Sequence, residues 1–176
     1  KDIFTRVLKS HIAVANYKLK SNTCGAQIDI IARKPLKEVN LDYAHGTGHG
    51  VGYFLNVHEG PQVIAYSAST PKERAMKVGM ISSNEPGLYR EGKWGIRIEN
   101  LVVNTPVANP TETEFGQFLH FETITYCPID TRLIEPSLLD QTEIDWLNSY
   151  HSQVYAELND RVEGAALEWL TERTKA

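Results

Sequence analysis

The stretch HGTGHGVGYFLNVHEGP at positions 45–61 limits what this chain can fold into more than any other. Glycine stands at 46, 48, 50, 52 and 60. Each glycine inside a helix costs about 1 kcal/mol relative to alanine, so a long helix is excluded there. What remains is extended backbone passing close to something else, because alternate glycines remove the side chains that would hold a neighbour away. In such backbone the even spacing of His45 and His49 puts both on one side.

The flanks have other periods. Ile3, Phe4, Val7, Leu8, Ile12 and Ala15 recur at three and four, which predicts an amphipathic helix from Ile3 to about Tyr17. A second helix is expected from about Cys24 to Arg33, with Asn22 or Thr23 as its cap and Pro35 closing it. Val78–Asn84 reads as a strand stopped by Pro86. Leu88 and Tyr89, a turn over Glu91–Gly95 and a return strand Ile96–Val103 read as a hairpin, followed by a strand at Phe118–Thr125. Beyond Pro136 the pattern turns helical, with Thr142 a candidate cap and Ile144, Leu147, Val154 and Leu158 on one face. A last helix is expected over Val162–Glu172, and helices, antiparallel strands and helices in that order give an α+β fold.

Acidic residues outnumber basic ones, 22 to 18, a net charge of −4 that argues against a nucleic-acid partner. With 41% apolar residues the chain is expected to fold as one domain over residues 1–176. No apolar run approaches the roughly 20 residues that span a bilayer, so no membrane association is expected. Cys24 and Cys127 lack the spacing of a zinc knuckle or redox pair and read as buried thiols in a reducing, cytoplasmic setting, the alternative being a single disulfide. The chain opens at Lys1 without methionine, so a segment upstream is expected to have been removed.

Three of the six histidines, His45, His49 and His58, share the glycine stretch. Neutral imidazole is both a metal ligand and a proton carrier, so the cluster is a candidate site; the alternative is a glycine loop with hydrogen-bonded histidines. Glu85, in ISSNEPGLY, is held extended by Pro86 and projects at a strand end. Glu99, in GIRIENLVV, shares a strand face with Arg97, which permits either a metal ligand or an exposed Arg97–Glu99 pair. His11, His120 and His151 read as partly exposed structural residues, and Trp94, Trp146 and Trp169 as core.

Together the strings HGTGHGVGYFLNVHEGP, NEPGLY and GIRIENLVV, with LKSHIAVA before them and DWLNSYH and EWLTERT after them, resemble the catalytic domain of aminopeptidase P in its long, multidomain form. These are metallopeptidases of the pita-bread fold that remove an N-terminal residue preceding proline. The resemblance implies the C-terminal portion of that fold, helices packed on a curved antiparallel sheet. It implies two divalent ions, usually manganese, with His49, Glu85 and Glu99 as three of five ligands and two aspartates expected upstream. Asp2, Asp29 and Asp42 do not match those aspartates. His45 then corresponds to a histidine that stabilises the tetrahedral intermediate or shuttles protons, and His58 to one facing the substrate carbonyl. Glu85 doubles as the catalytic base, and Arg97 corresponds to an arginine beside the bridging carboxylate Glu99. The implied substrates are peptides with proline second, the implied whole protein is a homodimer, and the 176-residue chain by itself is expected to be inactive. Prolidase-like dipeptide cleavage and a non-catalytic module of the same fold that binds peptides or proteins are the competing readings.

Overall fold

A computed structural model describes residues 1–54, 56–67, 72–108 and 114–175. Its helices are α1 (Asp2–Ala15), α2 (Gly25–Lys37), α3 (Gln141–Leu158) and α4 (Gly164–Arg173). The strands are β1 (Leu19–Lys20), β2 (Gly48–His49), β3 (Val63–Ile64), β4 (Ile81–Asn84), β5 (Gly87–Arg90), β6 (Trp94–Arg97), β7 (Asn100–Pro106) and β8 (Phe118–Thr123). An antiparallel sheet runs in the order β1-β8-β7-β4, and β2-β3 and β5-β6 form two further pairs.

Helix α1 lies centrally, packed on α2, α3, β4 and β8. Its stripe divides between two cores. Val7, Leu8 and Ile12 join Leu36, Ile98, Leu147, Tyr150, Val154 and Leu170. Two residues beyond Ile12, Val14 joins Leu19, Ile28, Ala32, Ile64, Met76, Val102, Leu119 and Phe121. Because the first core unites α1 with α3 and α4, the two ends of the chain are fastened together through apolar burial rather than through the sheet.

Several boundaries differ from expectation for identifiable reasons. Asn22 sits in a left-handed turn, and α2 is capped instead by a box between Cys24 and Gln27. Pro35 lies within α2 rather than ending it: it falls in the last turn, and burial of Leu36 holds the helix beyond it. Asp140, not Thr142, caps α3, accepting from the Glu143 amide while the Glu143 carboxylate accepts from the amide of Asp140. The strand foreseen from Val78 begins only at Ile81. The return strand Ile96–Val103 breaks after Arg97, since β6 pairs with β5 while β7 pairs with β4 and β8, and Ile98 between them turns into the core.

Trp94 and Trp169 are exposed and Trp146 only half-buried, so the aliphatic residues of α1 and α3 make the core instead. Cys24 is half-buried and Cys127 exposed, both as free thiols, against the buried pair foreseen. His11 and His151 are buried rather than partly exposed, because His11 Nε2 accepts from Asn100 of β7 and His151 Nε2 accepts from the Ile129 amide. No helix among the described residues is long and apolar enough to cross a membrane.

His11 carries a pH dependence. Its Nε2 accepts from Asn100 Nδ2 at 3.1 Å, and burial pulls the imidazole down to about 4 from 6.5. Between those values the unfolded chain holds a proton that the folded chain refuses, so stability falls as pH drops from 6.5 toward 4 and is intact above. The full shift corresponds to about 3 kcal/mol. Urea titrations from pH 7 to 4.5 should show His11→Gln with a shallower loss of stability than the parent protein; equal slopes would remove His11 as the cause.

Candidate metal centre

The glycine stretch does lie against a neighbour. β2 pairs with β3, and Gly50 bridges to Ser82 so that the segment also meets β4. A side chain at Gly48 would place its Cβ 2.0 Å from the Ser83 carbonyl oxygen, which is why only glycine allows this approach. The His49 amide donates to Ser83 Oγ at 2.9 Å, Ser83 Oγ donates to Glu85 Oε1 at 3.0 Å, and the Glu85 amide donates to the Thr47 carbonyl at 2.8 Å. Three short bonds thus lock the strand carrying His49 to the strand end carrying Glu85.

The side chains meet as a result: His49 Nε2 lies 3.0 Å from Glu85 Oε1. His49 Nδ1 is 3.0 Å from the Gly50 carbonyl, which can only accept, so Nδ1 holds the proton and Nε2 presents a lone pair to the carboxylate. Two acceptors facing each other at this distance call for a shared proton or a cation, and a backbone carbonyl on the far ring nitrogen is the usual support of a metal-binding histidine. The exposed His58 ring lies tilted beside His49, centroids 4.2 Å apart and planes at 49°.

Glu85, 7% exposed, is neutralised on its other oxygen by Arg97 Nη1 at 3.1 Å. Arg97 Nε donates to Tyr89 Oη at 2.8 Å, and that phenol lies 3.1 Å from His45 Nε2. His45 Nδ1 is 2.7 Å from the Gly46 carbonyl, so its Nε2 accepts from the phenol. A continuous polar chain therefore runs from His49 through Glu85, Arg97 and Tyr89 to His45. The hydrogen bond that Arg97 donates to Tyr89 and the nearby Glu85 and Glu99 charges raise the Arg97 pKa, keeping the guanidinium charged.

Glu99 is not part of this cluster. It is exposed at the break between β6 and β7 and lines, with Arg97, Asn100 and Asp130, a cavity of about 280 Å³. The expected convergence of His49, Glu85 and Glu99 is therefore not what the structure presents. Arg97 accompanies Glu85 rather than Glu99, because the strand break separates the two positions that a continuous strand would have kept on one face. Among the described residues no group of three or more His, Cys, Asp or Glu side chains is placed to hold a metal. His49 and Glu85 fit one cation between them; the described residues do not by themselves fit a metal pair.

Sequence reasoning also missed Ser83, Tyr89 and the buried Asp29–Arg33 pair of α2, whose Arg33 reaches the loop before His45. The signal for that pair was present as opposite charges four apart in an otherwise apolar helical stretch.

Comparison with known proteins places the chain in a family. The model of metallopeptidase family M24 matches residues 1–106, and that of the C-terminal region of peptidase M24 matches residues 117–176. The chain belongs to metallopeptidase family M24. It is 47% identical to a probable Xaa-Pro aminopeptidase P of Coprinopsis cinerea over 97% of this chain and 28% of that protein. Aminopeptidase P2 of Arabidopsis thaliana is 45% identical over 99% of this chain and 24% of its own length. The crystal structure of X-prolyl aminopeptidase from Caenorhabditis elegans, described as a cytosolic enzyme with a di-nuclear active site, superposes with a TM-score of 0.89 at 37% identity, covering 98% of this chain and 28% of that one. Prolidase from Pyrococcus furiosus matches with a TM-score of 0.50 at 33% identity, over 58% of this chain and 28% of its own. The chain thus spans about a quarter of the length of the relatives it matches, and its fold is the pita-bread fold of this family.

Proposed function

We propose that this chain forms one unit of the catalytic domain of a cytosolic, homodimeric Xaa-Pro aminopeptidase, which cleaves the bond between an N-terminal residue and a following proline. The observation that carries the reading is the His49 Nε2 lone pair held 3.0 Å from Glu85 Oε1. The 47% identity to a probable Xaa-Pro aminopeptidase P and the TM-score of 0.89 to the nematode X-prolyl aminopeptidase support the reading. The non-catalytic alternative draws on the Arg97 guanidinium beside Glu85, which replaces the charge a metal would bring.

His49 and Glu85 are the ligands this chain brings together, and Glu99 is the third that the likeness to aminopeptidase P implies. What two divalent ions, we propose manganese, supply to peptide hydrolysis is carbonyl polarisation and a more acidic water. Glu85 would take the proton of the attacking water and pass it toward the departing proline nitrogen. Arg97 holds the Glu85 carboxylate in place while leaving Oε1 toward His49. His45 would relay a proton through Nε2, the atom that accepts from Tyr89, and His58, exposed beside His49, would meet the substrate carbonyl.

The test is peptide cleavage by the full-length protein with added manganese. Release of the first residue only where proline is second, lost on chelation, supports the reading; cleavage indifferent to proline or to chelator overturns it. The 176-residue chain alone, with one imidazole and one carboxylate in place, is expected to bind manganese only weakly by calorimetry and to show no measurable turnover. Tight binding by this chain would mean that Glu99 or another group completes the site.

A further inference from the structure

The Arg33 guanidinium makes four hydrogen bonds and lies outside the cluster just assigned. It is only 2% exposed. Its Nε donates to Asp29 Oδ2 at 2.6 Å, Nη1 to Asp42 Oδ1 and to the Tyr43 carbonyl at 2.7 Å each, and Nη2 to the His45 carbonyl at 2.6 Å. The guanidinium also stacks 4.0 Å over the Tyr43 ring, which itself lies 4.8 Å from the ring of His45. On the other oxygen of Asp29, Thr47 Oγ1 donates at 2.6 Å, and the Thr47 carbonyl receives the amide of Glu85.

Holding a helix against a sheet does not require a buried charge, because apolar side chains do it at lower desolvation cost. What the planar fork adds is direction: donors fixed relative to one another take two carbonyls, 43 and 45, and so set the path of the loop into β2. Arg33 itself bonds the His45 carbonyl, whereas the Glu85 amide is held by the Thr47 carbonyl. We infer that Arg33 is a positioning residue for the reaction, acting through His45, an inference that rests on the functional reading above.

The test uses the full-length protein. Arg33→Lys keeps the charge but has a single donor head, so kcat should fall roughly 10²-fold with KM within about twofold, the signature of misplacement rather than lost binding. In combination with His45→Ala, the double variant should be no slower than the slower single variant, because Arg33 acts through the group already removed. Histidine-labelled spectra should show the His45 ring resonance shifted in Arg33→Lys while those of His11 and His151 stay in place. If Arg33→Lys does not fold, Asp42→Ala serves instead. Its carboxylate is 47% exposed and can be removed without stranding a buried acid, and a smaller shift of the same resonance is expected. Rate losses that multiply, a wild-type kcat in Arg33→Lys, or an unmoved His45 resonance would each overturn the role of Arg33. A parent protein with no Xaa-Pro cleavage would overturn the functional reading alone, since the resonance still reports whether Arg33 places His45.

Discussion

Glu85→Gln in the full-length protein is expected to lower kcat on an Xaa-Pro peptide by roughly 10²–10⁴-fold, the range for loss of a general base, while KM changes little. The amide is nearly isosteric, so Thr47 still accepts from the residue 85 backbone and β4 still meets β2. What disappears is negative charge. Glu85 Oε1 accepts from Ser83 and faces His49 Nε2, while Oε2 faces the Arg97 guanidinium. Glutamine offers only one acceptor oxygen, so either Ser83 or Arg97 is left facing an amide NH₂, and no group of comparable basicity remains beside His49. Steady-state kinetics on a proline-second peptide check the prediction, and a rate within twofold of the parent protein would remove Glu85 from the mechanism.

The largest loss of stability should follow Asp29→Ala. Asp29 is fully buried and bonded to Arg33, which is itself almost inaccessible. Burial pulls the Arg33 pKa down, but hydrogen bonds to Asp29 and Asp42 outweigh it and the net shift is upward, so the guanidinium is charged in the fold. Removing Asp29 strands that charge with Asp42 as its remaining carboxylate, and Thr47 Oγ1 loses the same acceptor. Breaking one side of a buried pair typically costs about 3–5 kcal/mol, and urea unfolding should register a loss of that order. A loss under about 1 kcal/mol would mean that water reaches Arg33 once Asp29 is gone. Asp42→Ala, on the exposed side of the same guanidinium, should cost much less.

Much of the architecture was legible in the sequence because it depends on local periodicity. The stripe of α1, the helical end of the chain, the extended glycine stretch and the strand stopped at Pro86 are each read from residues within a few positions of one another, and each has its counterpart in the structure. The positions of His49 and Glu85 were equally legible, since glycine at 48 and proline at 86 leave the backbone few alternatives at those points. Boundaries were less so: Pro35 would end an isolated helix, but burial of Leu36 carries α2 past it.

Partnership among charged groups was decided by tertiary structure alone. Arg97 could have paired with Glu99, two residues away on the same face of an unbroken strand; it reaches Glu85 instead because the chain changes sheets after Arg97. Likewise, the burial of His11 and His151 depends on distant groups, Asn100 for one and the Ile129 amide for the other, which no helical period records. Sequence by itself determined which backbone conformations each segment could adopt, because those are set by sterics within a few residues. Which side chain neutralises which charge was left to the packed structure, because a buried charge takes the partner that three-dimensional proximity supplies, whatever its distance along the chain.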